Sequence, residues 1–189
     1  MPSLRPFRPS ILRSASGFDV VLPSDGPVDS TTRAVIFDGG IPKSARSALE
    51  PWVTLVEPPG IGAPVASFEE HGLGVTTAFL FGHLEAGRAL QQPFCSADHV
   101  RVLDDKAGSA TDPDYFDVLD RIIGHLDKNP LLYSLVNISL GPSMAVDDDE
   151  VTLWTAALDK RLAHGRSVAT VAAGLSLIHI SEPTRLRRI

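Results

Sequence analysis

An aspartate at the end of an apolar run is the first group in this 189-residue sequence that could do chemistry. Residues 34–37 read Ala-Val-Ile-Phe, Asp38 follows directly, and Gly39 and Gly40 end the run. A short apolar segment that ends in glycines is typical of a fully buried parallel strand. Open α/β sheets bind ligands at the carboxyl ends of such strands, so Asp38 is a candidate site residue. Asp-Gly is also common turn chemistry, and by itself Asp38 is equally well explained as a turn cap.

A histidine at the start of another apolar segment is the second candidate. His71 and Gly72 precede residues 75–81, which are small or apolar on every side and predict a buried helix. We expect His71 at the N-terminus of this helix, where a lone histidine is more often structural than catalytic. The remaining histidines have no spacing that suggests a metal site, and we expect them on the surface or in loops: His83, His99, His125, His164 and His179.

The order of the other elements decides which fold would hold these two residues. Strands are expected at 34–37, 52–56, 99–103, 135–140 and 167–173, and helices at 71–82, 112–128 and 149–164. This alternation predicts an α/β fold with three layers, a mostly parallel sheet and helices on both faces. The carboxyl edge of that sheet would carry Asp38, Asp104, residues 139–141 and Gly174, with His71 nearby.

Composition excludes several classes of function. The net charge of −6, with arginines concentrated at the two ends, argues against nucleic acid as a partner. No apolar run is long enough to cross a membrane, and without a recognisable secretory signal we expect a cytoplasmic protein. The single cysteine, Cys95, is expected to be a structural thiol. We expect no cofactor and no metal, although calcium in a longer parent protein stays open.

Four motifs occur in the order and on the elements of one peptidase family. Residues 34–40 resemble the aspartate motif of subtilisin-like serine peptidases (subtilases), and residues 71–76 resemble their histidine motif. Residues 136–142 are similar to the family's Ser-Leu-Gly substrate strand, and residues 168–174 to the strand before its oxyanion asparagine. Asp before His is also the chain order of the subtilisin triad. The resemblance covers about residues 31–174 and implies a subtilisin-like fold.

The resemblance implies a serine endopeptidase that acts on polypeptide substrates. His71 would be the general base, and Asp38 would hold its imidazole in the reactive tautomer. The backbone of Ser139, Leu140 and Gly141 would pair with an extended substrate as an added strand. In this mapping Ser139 is not the nucleophile, because the family's serine comes later in the chain.

The sequence departs from the family pattern after residue 174. The family has asparagine where this chain has Leu175, followed by a Gly-Thr-Ser nucleophile motif, and residues 175–189 match neither. Residues 175–185 resemble a translated sequencing adapter, so we expect 175–189 to be an artefactual tail. A native amphipathic or basic tail is the alternative. Without the serine and the asparagine, the chain would be inactive as written. Upstream, the histidine motif lacks its usual second histidine, and Gly39 stands where Ser or Thr is common.

These boundaries predict three parts: a proline-rich, irregular lead-in (1–30), a partial catalytic domain (31–174) and the tail (175–189). We expect residues 1–174 to be poorly soluble alone, because a truncated sheet exposes edge strands. A non-catalytic peptide-binding module that keeps residues 139–141 is an alternative function. A nucleotide-binding or phospho-acceptor domain that uses Asp38 is disfavoured, because no glycine-rich phosphate loop follows the first strand. The sequence specifies neither an oligomeric state nor a cleavage specificity.

Overall fold

The structure, a computed structural model, describes residues 4–6, 21–82, 89–106, 116–142, 151–163 and 167–172. Within these ranges the chain forms seven strands and four helices. In chain order they are β1 (Leu4–Pro6), β2 (Arg33–Asp38), α1 (Lys43–Leu49), β3 (Val53–Val56), α2 (Ala66–Phe81), β4 (Ser96–Arg101), α3 (Phe116–Lys128), β5 (Leu135–Ile138), β6 (Leu140–Pro142), α4 (Leu153–Leu162) and β7 (Val168–Val171).

Five strands form one sheet in the order β3-β4-β2-β5-β7. Every neighbouring pair in it is parallel, which confirms the predicted α/β fold with a mostly parallel sheet. β2 lies at the centre, between β4 and β5. Its first residue, Arg33, lies opposite Ser96 of β4, and its last, Asp38, lies opposite Arg101. A central strand is covered on both faces, which explains why β2 is a continuous apolar run.

Alternate residues of β2 pack against different helices. Val35 and Phe37 are buried in a core cluster to which α3 and α4 contribute. Ala34 and Ile36 belong to a second cluster, against which Val75 of α2 packs. Because successive side chains of a strand point to opposite faces, α2 lies on one face of the sheet and α3 and α4 lie on the other. The predicted three-layer arrangement is therefore confirmed.

β4 differs from its prediction because its polar residues are buried. It runs from Ser96 to Arg101 instead of 99–103. Asp98, His99 and Arg101 are all buried within it. Asp98 forms an ion pair with Arg33, and Arg101 donates to backbone carbonyls. Buried polar groups are tolerated when they are hydrogen-bonded in this way. The prediction that His99 lies on the surface or in a loop is wrong.

Other boundaries also differ from the sequence prediction. The segment 135–140 divides at Ser139 into β5 and β6. The lead-in is not wholly irregular, because β1 pairs antiparallel with β6. α4 begins later than predicted because Thr152 caps it, its hydroxyl accepting from the Thr155 N–H. His125 lies on the half-buried side of α3 and not in a loop, with Nε2 2.7 Å from the Tyr133 hydroxyl.

Several predicted features lie outside the described residues. They are the helix starts at 112–115 and 149–150, the histidines at 83, 164 and 179, Gly174, and the tail at 175–189. The three domain boundaries stay predictions. In the part of the chain that the structure describes, no helix is both long and apolar enough to cross a membrane.

Candidate active site

Asp38 lies at the carboxyl edge of the sheet, at the end of its central strand. From β2 the chain continues to β3 and β4, which lie on one side of β2 in the sheet. The later strands β5 and β7 lie on its other side. Open α/β sheets form ligand crevices where the direction of winding reverses in this way. The N–H of Gly39 donates to Asp38 Oδ1 at 2.6 Å and so helps to fix the carboxylate.

The structure brings Asp38 and His71 together. His71 Nδ1 lies 2.9 Å from Oδ1 and 3.0 Å from Oδ2 of Asp38. The Asp38 side chain is fully buried, and that of His71 is 9% exposed. Burial raises the pKa of Asp38, while the bonds from His71 and Gly39 favour its ionised form. A carboxylate can only accept, so Nδ1 carries a proton, and in the neutral form of the ring the lone pair then lies on Nε2. That tautomer is the one a general base needs.

His71 lies inside α2 and not at its N-terminus, so the predicted position is wrong. The helix begins five residues earlier, at Ala66. Val65 precedes it in an extended conformation and makes no side-chain cap bond, so the sequence carries no start signal there. The prediction of a helix buried all round is also wrong. Gly74 and Ala78 are exposed, and the apolar pattern reflects small side chains on the outer face.

Two glycines allow α2 to reach the loop after β2. Gly40 has a φ of +107°, a conformation that residues with a Cβ rarely adopt. A Cβ on Gly72 would overlap the carbonyl oxygen of Gly40. Gly72 directly follows His71, so this close approach sets how near the histidine comes to Asp38.

His99 is a buried residue beside the pair that the sequence prediction missed. It is fully buried on β4. Its Nε2 accepts from the Gly40 N–H at 3.1 Å, and its Nδ1 lies 2.8 Å from Thr76 Oγ1 on α2. Burial lowers the pKa of His99 to about 3, so the ring is neutral near pH 7. No local sequence signal marks His99 as buried, because its partners Gly40 and Thr76 lie far from it in the chain.

The residues that the resemblance assigns to substrate binding lie at the end of β5 and in β6. The Ser139 hydroxyl donates to Asn137 Oδ1 at 2.8 Å, and the Asn137 amide donates to Thr170 of β7. Leu140 and Gly141 are buried. Their backbone already pairs with a strand of the same chain, because β1 lies antiparallel to β6 with Pro6 opposite Leu140. The position at which we expect an extended substrate to add a strand is therefore occupied by residues 4–6 of the same chain.

Asp104, which was expected at the same edge, is held in a different set of contacts. Its Oδ2 accepts from the Gly62 N–H at 3.1 Å and from Arg121 at 2.9 Å. Burial raises the pKa of Asp104, but the backbone donors and Arg121 outweigh it and hold the pKa below its ordinary value. Asp104 thus anchors the loop at 57–64 to α3. No group of three or more metal-binding side chains occurs among the described residues.

No protein-family model and no curated protein matches the chain. Among solved structures, the chain is similar to the prenylagaramide maturation protease PagA, with 18% sequence identity and a TM-score of 0.47. The match covers 75% of this chain and 45% of that chain, so this chain spans less than half of the protease's length. A functional proposal therefore rests on the chain's own residues.

Proposed function

We propose that this chain carries the Asp–His part of a serine-type endopeptidase site. The observation that carries the proposal is the buried Asp38 carboxylate, whose oxygens lie 2.9 and 3.0 Å from His71 Nδ1 at the carboxyl edge of a parallel sheet. The subtilase-like motifs around both residues support the choice of peptidase family.

The chemistry assigns one role to each side chain. His71 Nε2 takes the proton from a serine hydroxyl, which is a poor nucleophile until it is activated, and returns that proton to the leaving amine. Asp38 keeps the proton on Nδ1 and stabilises the imidazolium that forms. In a triad of this kind, replacing the aspartate by asparagine lowers turnover about 10⁴-fold through the wrong tautomer. The contribution of Asp38 is therefore orientation, which a buried contact to both oxygens supplies.

In the family that the motifs resemble, the nucleophile lies in a Gly-Thr-Ser motif, and residues 1–189 contain no such motif. Ser139 does not replace it, because its hydroxyl donates to Asn137. We expect the 189-residue polypeptide to hydrolyse no peptide bond through His71. In subtilisin, loss of the serine lowers turnover by about 2 × 10⁶.

Casein hydrolysis by the wild type, His71→Ala, Asp38→Asn and Ser139→Ala tests these assignments. We expect equal, background rates from all four proteins, together with an Nδ1-protonated His71 ring in the ¹⁵N NMR spectrum of the wild type. Hydrolysis that depends on His71 and Ser139 would overturn the structural assignment of Ser139. Hydrolysis above background that is lost in His71→Ala and Asp38→Asn but not in Ser139→Ala would overturn the expected inactivity, and a wild-type ring protonated on Nε2 would overturn the proposed pair.

A non-catalytic peptide-binding module is the second candidate, favoured by the pairing of β6 with β1. If β6 binds extended peptides, β1 competes for the same backbone groups. Removing residues 1–6 should then tighten the binding of a fluorescent extended peptide, whereas removing residues 1–3 should not, because β1 begins at Leu4. Equal binding by both shortened proteins and the wild type would exclude this use of β6.

A further inference from the structure

We propose that His99, together with Thr76, is a positioning residue that fixes the His71–Asp38 geometry by tying the loop after β2 to α2. This inference rests on the proposed function, because it concerns the same pair. It is drawn from the two hydrogen bonds of the His99 ring and from the elements that those bonds connect.

The two hydrogen bonds of the His99 ring have defined directions. A backbone N–H can only donate, so His99 Nε2 must accept from Gly40. A neutral imidazole has one N–H, which therefore lies on Nδ1 and donates to Thr76 Oγ1. The ring is fully buried and stays neutral near pH 7, so one tautomer holds both contacts.

The His99 ring connects the two segments that carry Asp38 and His71. Gly40 lies two residues after Asp38, and Thr76 lies five residues after His71 on the same helix. The His99 ring is thus a bridge between the backbone that carries the carboxylate and the helix that carries the imidazole. Gly72 adds a third point of contact, because it packs against the Gly40 carbonyl and lies near the His99 ring.

Loss of this bridge would loosen the contact between α2 and the loop after β2. Without the His99 ring, the Gly40 N–H and the Thr76 hydroxyl would be left buried and unbonded, which disfavours the present spacing of loop and helix. A shift of one ångström would lengthen the 2.9 Å contact between His71 and Asp38 beyond hydrogen-bonding distance. A merely structural histidine would affect global stability but would leave that contact unchanged.

The test is the solvent-exchange rate of the His71 Nδ1 proton, measured by NMR on the full 189-residue chain. Thr76→Val removes the hydroxyl at nearly constant shape, and His99→Leu removes both bonds. We expect exchange to accelerate between about twofold and tenfold in Thr76→Val and further in His99→Leu. Thr76→Ser and His99→Gln, which keep a hydroxyl or an acceptor and a donor, should stay within about twofold of the wild type.

Tyr133→Phe is the matched control, because it removes hydrogen bonds to Asp98 and His125. Among the described residues, no hydrogen bond joins either of these two side chains to Gly40 or Thr76. It should lower stability without changing exchange at His71. If Thr76→Val lowers stability but leaves His71 exchange as in Tyr133→Phe, the positioning role is overturned while the Asp–His pair stands. If the wild type shows no His71–Asp38 proton, the proposed function fails and the positioning role fails with it. Should His99→Leu not fold, Thr76→Val alone decides.

Discussion

Replacing Gly72 by alanine tests how closely α2 approaches the loop after β2. A Cβ at this position would overlap the Gly40 carbonyl oxygen and lie 3.0 Å from Cε1 of His99. The obstructing atom is backbone, so a change of rotamer cannot relieve the contact. Gly74 lies on the same helix and has nothing within 4 Å of the corresponding Cβ, which makes Gly74→Ala the matched control.

The magnitude follows from comparing the two variants. Alanine in place of glycine in a helix gains about 1 kcal/mol from backbone propensity, and this gain is common to both positions. Overpacking costs about 1–3 kcal/mol and applies only at Gly72. We therefore expect Gly74→Ala to stabilise the protein, and Gly72→Ala to be less stable than Gly74→Ala by about 1–3 kcal/mol.

Urea unfolding of the two variants and the wild type measures this difference. With a slope of about 2 kcal/mol per molar urea, the two midpoints should differ by about 0.5–1.5 M. Gly72→Ala should also disturb the His71 ring resonances, because Gly72 adjoins His71. Equal midpoints for the two variants, with an unchanged His71 spectrum, would refute the close approach of helix and loop.

Two further predictions concern stability and association. Lowering the pH from about 6.5 towards 3 should destabilise the wild type by up to about 1.4 kcal/mol per pH unit through His99 alone. Burial lowers the pKa of His99 to about 3 in the folded protein, so the unfolded chain takes up the proton at a higher pH than the folded protein does. Urea unfolding between pH 4 and pH 7 should show a shallower profile for His99→Gln, and identical profiles would contradict this. β7 lies at the edge of the sheet and Val168 on it is 65% exposed, so Val168→Lys should reduce aggregation measured by light scattering. Unchanged scattering would locate the association elsewhere.

The sequence predicts the central part of the fold well because burial there is uniform. β2 is buried on both faces, so its residues form one apolar run that ends at Asp38. β4 is buried to the same degree, but Asp98, His99 and Arg101 find their partners in distant segments. Local patterns do not contain those partners, and the predicted strand was displaced for that reason.

The sequence places Asp38 and His71 near the same edge of the sheet, but it does not give the geometry around them. Asp38 and His71 follow from strand and helix patterns together with the motif resemblance. The start of α2 was missed because Val65 provides no side-chain cap. The contact between Gly72 of α2 and the Gly40 carbonyl joins elements that are far apart in the sequence, and so does the hydrogen bond from Gly40 to His99. The pairing of β1 with β6 was missed for the same reason.

The most direct measurement of the central claim is the protonation pattern of the His71 ring, read from its ¹⁵N chemical shifts in the wild type and in Asp38→Asn. The wild-type ring should carry its proton on Nδ1, with Nε2 unprotonated, because the Asp38 carboxylate can only accept. In Asp38→Asn the amide can donate to Nδ1, and the proton should move to Nε2. A wild-type ring protonated on Nε2, or a pattern that Asp38→Asn leaves unchanged, would contradict the account.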